Sequence, residues 1–329
     1  MLFGGISGSS IADVTSIGAF IIPMMKKQGY DTDYTVAVTC TSSVEGVIIP
    51  PSQNMIFYVV SAGSGLSIST MFMCGYIPGI LFTAALATVS YIIAVKKKYP
   101  ISEAKPWREN IRIVRQAILG LGTILIVAVG ISAGVFTATE AGAVAAVYAW
   151  VITTFVYKTM TLKKTFQCFL NTLPTLGTIM AIIATSSAFS YVLSYLKVPN
   201  RVAELFLTIS SSPAVIMFLM ILLMIILGCF MDMGILIILL TPIFYPVAME
   251  IGYNPYHFGL IVVLTLGLGL LTPPVGTSLW AGCAIADIPI EKCIKGFMPF
   301  YLTYLAVVLL IVLFPDICLF LPRVLGYTV

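Results

Sequence analysis

Two adjacent prolines interrupt an apolar segment twice in this chain, once at residues 47–57 (VIIPPSQNMIF) and once at 270–280 (LLTPPVGTSLW). Pro50, Pro51, Pro273 and Pro274 donate no backbone N–H, and a proline inside a helix clashes with the carbonyl four residues back, so a helix entering either stretch has to break. The setting makes that severe. Apolar residues make up 60% of the 329, charged residues 9%, and the mean hydropathy is +1.07, whereas ordinary globular chains carry about a quarter charged residues. Apolar runs long enough to cross roughly 30 Å of hydrocarbon recur along the chain, which predicts an all-α polytopic membrane protein. Broken backbone at bilayer depth is tolerated only where protein buries it or where it lines a wet cavity. The two breaks therefore mark the candidate functional centre.

In chain order, residues 1–10 are Gly/Ser-rich and follow no span, which leads to the expectation that N-terminal spans are missing and that the chain is inactive alone. A helix is expected at 11–25, a broken segment at 34–62 and a helix at 70–95. The polar stretch 96–115 reads as a cytoplasmic linker between two halves. Spans follow at 113–136, 138–157 and 173–195, with short amphipathic interfacial helices at 161–173 and 198–209. Runs at 214–227 and 234–249 flank the tip GCFMDM, each short for a crossing of about 20 residues, and together they read as a re-entrant hairpin. A second broken segment at 258–286 and a last helix at 296–314 complete the pattern. The expected division is a first transport repeat at 1–95, the linker at 96–115, scaffold and interfacial helices at 116–210, and a second transport repeat with the last helix at 211–329.

Charge orients this arrangement. With the linker inside, alternating spans place 14 of the 17 lysines and arginines on the cytoplasmic side and leave Lys197, Arg201 and Arg323 outside, as the positive-inside rule requires. Because the basic residues sit in loops between spans, the net charge of +4 does not point to nucleic acid; the surroundings are membrane lipid. The seven cysteines form no CxxC pair and lie mostly in apolar runs, so they read as small hydrophobes and not as disulfides or a metal cluster. The two ends of the chain also share their punctuation. Gly29, Tyr30, Gly46, Pro50 and Pro51 recur as Gly252, Tyr253, Gly269, Pro273 and Pro274 at one offset of 223, with Asp13 and Pro23 recurring as Asp232 and Pro242, and Gly75 and Pro78 as Gly296 and Pro299. Two such copies, inserted in opposite directions, form the inverted repeat of a secondary transporter.

A helix broken at the midplane offers the positive N-terminus of one half and the negative C-terminus of the other. Free N–H groups suit a carboxylate, while free carbonyls with hydroxyl and amide oxygens suit a dehydrated hard cation. Donors near the first break are Ser52, Gln53 and Asn54, with Ser7, Ser9, Ser10 and Asp13 on the facing tip; near the second they are Thr272, Thr277 and Ser278, with Asp232 on its tip. Many neutral oxygens and few carboxylates favour Na+ over Ca2+. Each reading has a plainer competitor. The double prolines can be kinks, the serines can join helices, and Asp13 and Asp232 can cap hairpin arms. Glu45 suits a proton site or a packed structural acid, Glu140 a helix start, and His257, in the loop NPYHF, a structural role. The Met and Phe stripes read as lipid-facing or core.

The motifs GGISGSSIADV, EGVIIPPSQNMIFY, GYIPGIL, ATEAGAVAAVYA, GCFMDMGILIILLTPIFYP and GLLTPPVGTSLW together resemble the large membrane subunit of tripartite ATP-independent periplasmic (TRAP) transporters, essentially end to end. The resemblance implies an elevator-type sodium symporter for organic acids, among them dicarboxylates and sialic acid, in the bacterial inner membrane. It implies no enzymatic activity. It implies two partners, a small membrane subunit and a periplasmic substrate-binding protein. Carried onto this chain, Na+ falls on Ser7, Ser10, Asp13, Pro50 and Ser52 at one end and on Asp232, Thr272, Pro273 and Gly276 at the other, and the substrate carboxylate on Ser9, Ser10, Ser52, Asn54, Thr277 and Ser278. Three other readings compete: proton coupling through Asp13, Asp232 or Glu45, an intramembrane aspartyl protease built on the two aspartates, and a scaffold subunit that transports nothing.

Overall fold

The computed structural model describes residues 8–63, 65–100, 111, 118–120, 122–123, 125–127, 129–131, 135–210 and 212–329. Ser7 lies outside the described residues, as do most of the span expected at 113–136 and most of the linker beyond Pro100. Every regular element among the described residues is helical. Helix α1 (Ser10–Asp13) runs through a π-helical stretch, Val14–Gly18, into α2 (Ala19–Lys27). The first broken segment comprises α3 (Thr32–Ser43), α4 (Glu45–Ile48) and α5 (Gln53–Ala62), and α6 (Ile68–Lys97) follows. Next come α7 (Ala138–Val151) with a π-helical end, Ile152–Val156, then α8 (Leu162–Tyr195) and α9 (Val198–Ile209). Helices α10 (Pro213–Gly228) and α11 (Met233–Glu250) form the hairpin around GCFMDM. The second broken segment is α12 (Pro255–Gly269) and α13 (Thr277–Ala286), and α14 (Ile290–Leu313) and α15 (Asp316–Val324) end the chain.

Five helices among the described residues are long and apolar enough to cross a membrane, at Ile68–Lys97, Thr139–Val156, Leu162–Leu193, Met233–Glu250 and Ile290–Leu313. The chain is a multi-pass membrane protein. It divides into two compact units, one joining the segment up to Pro100 with Ser190–Val329, the other covering Ile101–Phe189. Within the second unit, Glu140 has the helix-start role its position suggests. The Thr137 hydroxyl accepts from the Glu140 N–H at 3.3 Å, and the Glu140 carboxylate accepts from the Thr137 N–H at 2.9 Å, a reciprocal box that satisfies two of the helix's orphan donors.

Four local expectations need correction. The arm at 234–249, read as short for a crossing, is the 18-residue α11, which is long enough and apolar enough to cross a membrane. The interfacial helix at 161–173 and the span at 173–195 are one 34-residue helix, α8, with Pro174 inside it. The polar residues of its first turns repeat every four positions, and the Gln167 amide donates to Asn171 at 2.9 Å, so the polar face stays in helical phase into the apolar run. His257 is not in a loop but the third residue of α12; Asn254 caps that helix by accepting from the Tyr256 and His257 N–H groups at 2.9 and 3.3 Å, and Pro255 suits the first helical position. Helix α15 was not anticipated. It starts at Asp316, beyond Pro315, and buries Cys318, Leu319 and Pro322.

The core of the first unit is α12, whose residues from Tyr256 to Gly269 are all buried, as befits a helix that is apolar all round. Three polar groups along it have partners, while the Thr265 hydroxyl is buried with none among the described residues. Tyr58 donates to the Pro255 carbonyl at 2.6 Å and Tyr304 to the Leu264 carbonyl at 2.8 Å, and a His257 ring nitrogen lies 2.8 Å from the Ile311 carbonyl. Apolar helices gain little by leaving lipid for one another, so close fit and buried hydrogen bonds hold such a core together.

Candidate substrate and cation site

Both proline pairs end helices. At the first, α4 stops at Ile48, the Pro50–Pro51 peptide is cis, and α5 restarts at Gln53. Ser52 caps the restart: its hydroxyl donates to the Val47 carbonyl at 2.6 Å and accepts from the Met55 N–H at 3.4 Å, bridging the two halves of the broken helix across the prolines. At the second, α12 stops at Gly269, the Pro273–Pro274 peptide is cis, and α13 restarts at Thr277. Gly276 before it has a φ of +42°, and a side chain there would be strained. Each restart opens a ten-residue helix, long enough to present a positive N-terminal end to the gap.

Each hairpin tip touches both breaks. At the first tip, Gly8 packs so closely that a Cβ on it would sit 2.7 Å from the Pro51 carbonyl oxygen, while the Ser10 hydroxyl lies 2.8 Å from that of Ser278, the second residue of α13. The second tip takes the Val275 N–H on its Cys229 carbonyl at 3.0 Å. Gly234, the second residue of α11 just past that tip, lies against Phe57 of α5, where a Cβ would approach the ring to 3.1 Å. Backbone meets backbone where Gly228 ends α10 and Gly269 ends α12, since a Cβ on Gly269 would fall 2.6 Å from Gly228.

The proposed ligands separate under this geometry. Ser10, Ser52 and Ser278 are fully enclosed at 1%, 0% and 0% exposure, and Asn54 is buried at the start of α5. Ser9 precedes α1 in extended conformation as its N-cap residue. Thr277 keeps its hydroxyl oxygen buried with no hydrogen-bond partner among the described residues. Thr272 spends its hydroxyl on the Leu268 carbonyl at 2.8 Å, within its own turn. The two aspartates are not equivalent. Asp232 is partly exposed and caps α11, accepting from the Gly234 N–H at 2.9 Å. Asp13 is buried as the last residue of α1, whose N-cap is Ser9. Glu45, the first residue of α4, is buried as well.

One polar residue escaped the sequence reading. Ser43, the last residue of α3, lies 2.6 Å from the Ser10 hydroxyl and donates to the Cys40 carbonyl at 2.7 Å. Its signal in the sequence is the run TCTSS at 39–43, polar residues packed into an apolar segment upstream of the prolines.

The chain matches the family of the tripartite ATP-independent periplasmic transporter, DctM component, over residues 1–317. It belongs to the DctM family. Three relatives agree in extent. The protein YgiK of Salmonella typhimurium is 36% identical over 321 residues, covering 98% of this chain and 73% of its own length. The sialic acid TRAP transporter large permease SiaM of Vibrio cholerae is 35% identical, with 99% and 76% covered, and the C4-dicarboxylate TRAP transporter large permease DctM of Pseudomonas aeruginosa is 35% identical with the same coverage. This DctM-family chain is thus a transporter permease and not an enzyme, which removes the protease reading of Asp13 and Asp232.

Proposed function

We propose that this DctM-family permease couples inward Na+ movement to uptake of an organic acid across the bacterial inner membrane. The observation that carries the reading is that each hairpin tip contacts both helix breaks, so an ion seated at one tip bears on the geometry of both. The donors fit Na+. The hydroxyls of Ser10, Ser43 and Ser278 are neutral oxygens enclosed in protein, and the Thr277 oxygen is buried without a partner. A buried polar atom left unpaired costs free energy that a bound ion or carboxylate recovers. The cation sites assigned are Ser7, Ser10, Asp13, Pro50 and Ser52 at the first break, and Asp232, Thr272, Pro273 and Gly276 at the second. The substrate carboxylate docks between the N-termini of α5 and α13, where Asn54 and Thr277 stand.

In this scheme residues 1–95 and 211–329 are inverted repeats that move together as an elevator, with 116–210 as scaffold and 96–115 as cytoplasmic linker. A small membrane subunit and a periplasmic binding protein complete the transporter, in keeping with the tripartite family. Relatives named for sialic acid and for C4-dicarboxylates make a carboxylate the class of cargo. The burial of Asp13 and Glu45 favours a second reading, in which a proton accompanies the acid.

Uptake by the complete complex in proteoliposomes, with sialic acid and succinate as probes, separates the two. Uptake is expected to follow an inward Na+ gradient and to stop when choline replaces Na+. Flux driven by a pH gradient without Na+ would instead establish proton coupling.

A further inference from the structure

The three buried serines that join the first tip to the second break form a chain with one direction. Ser43 has a single hydroxyl proton, and it is committed to the Cys40 carbonyl, 2.7 Å away, which can only accept. With that proton on the Cys40 carbonyl, Ser10 is the donor in the 2.6 Å contact with Ser43. With its own proton spent, Ser10 can only accept in the 2.8 Å contact with Ser278. The order is Ser278 to Ser10 to Ser43 to the Cys40 carbonyl. Every proton in the chain is used internally, and Ser10 is left with one unshared lone pair. A cluster so arranged presents oxygen acceptors and no free donors. It suits a cation and rejects a carboxylate. A second contact pins the same seam, because the Cys40 thiol donates to the Ser278 carbonyl at 3.2 Å.

We propose that Ser43 and Ser278 are positioning residues that fix the Ser10 lone pair for Na+, so that cation affinity at the first tip depends on how α13, the second half of the other broken segment, is seated. The inference rests on the reading of Ser10 as a cation donor and deepens it. It moves Ser10 and Ser278 away from the substrate carboxylate, leaving that group to Asn54, Thr277 and the helix N-termini. It also gives the two ends of the chain a physical means of sensing each other, since displacing α13 removes the donor that holds Ser10 in its orientation.

The test uses Na+ alone as the probe. The full chain in detergent is titrated with NaCl against choline chloride at constant ionic strength, and the thermal midpoint is followed. Wild type is expected to gain stability with Na+. Ser43→Ala and Ser278→Ala are each expected to raise the half-saturating Na+ concentration about three- to tenfold, the value of one well-made hydrogen bond, and Ser43→Ala also to lower the midpoint in choline, because the buried Ser10 O–H loses its acceptor. Where Ser43→Ala does not fold, Ser43→Thr and Ser43→Val serve, because they match in shape and differ only in the hydroxyl; Thr is expected to keep the wild-type Na+ response and Val to weaken it. Equal Na+ responses in Thr and Val, or an unaltered response in a folded Ser43→Ala, would overturn the hydroxyl chain while sodium coupling stands. Absence of any Na+ effect on wild type would overturn sodium binding, and the chain with it.

Discussion

At the scale of single residues, environment separates side chains that look alike. Asp13 and Asp232 both stand ten residues before a proline, yet one is buried inside a helix and the other caps one. Asp31 shows a third carboxylate environment, in the loop before α3. Lys97 and Tyr99 donate to the same Asp31 oxygen at 2.5 and 2.9 Å, and these hydrogen bonds, the one from Lys97 foremost, hold its carboxyl below the usual value of 3.8. A depressed carboxylate adds stability that is complete above its unfolded pKa and is lost as pH falls through the folded one. Asp31→Asn is therefore expected to lower stability at neutral pH, and the gap from wild type to begin narrowing as the pH drops below about 3.8. Asp31 is largely exposed and water screens the contact, so the difference at neutral pH should stay under about 1 kcal/mol. Thermal midpoints recorded from pH 7 to pH 3 check this; a gap that widens toward acid would contradict it.

At the scale of elements, one proline and two behave differently. Pro23, Pro78, Pro174, Pro242, Pro246, Pro299 and Pro322 all lie inside helices that continue past them, whereas the pairs at 50 and 273 end theirs. A single proline removes one hydrogen bond, and neighbouring turns absorb the loss; a pair followed by capping or turn residues removes the local alternative as well. How the broken ends fit together is decided by close approach. Gly228 and Gly269 bring the hairpin and α12 into backbone contact, as small residues do between membrane helices. Gly269→Ala would drive its methyl into the Gly228 backbone, with an expected cost of about 1–3 kcal/mol. Gly228→Ala meets its nearest atom at 3.2 Å and is expected to cost less. Chemical denaturation of the two variants in the same detergent ranks them, and the reverse order would show that the hairpin can slide away from α12.

At the scale of the whole molecule, the decisive contact joins residues 268 positions apart, Ser10 and Ser278. Their hydroxyls are close enough for a disulfide once both are cysteine. In a background stripped of the seven native cysteines, the Ser10→Cys/Ser278→Cys pair is expected to oxidise readily. After cleavage at a protease site inserted in the polar linker, the two fragments should run as one band without reductant and separate with it. Fragments that separate in both conditions would refute the seam between the first tip and the second break.

Much of this protein was legible along the chain because the responsible forces act over a few residues. Proline's missing N–H locates both breaks, apolar run length locates the spans near 70–95 and 138–157, and Thr137 with Glu140 writes out a helix start. The run of α8 through Pro174 was less legible, because a lone proline's effect depends on what surrounds it. Tertiary structure alone decided which oxygens face one another. Ser43 became part of the site only when α3 was brought against the first tip, and Asp13 and Asp232 parted ways only when one was enclosed and the other left at a helix end. Hydroxyl partnership and burial are set by neighbours that arrive from tens to hundreds of residues away, and local sequence carries no record of them.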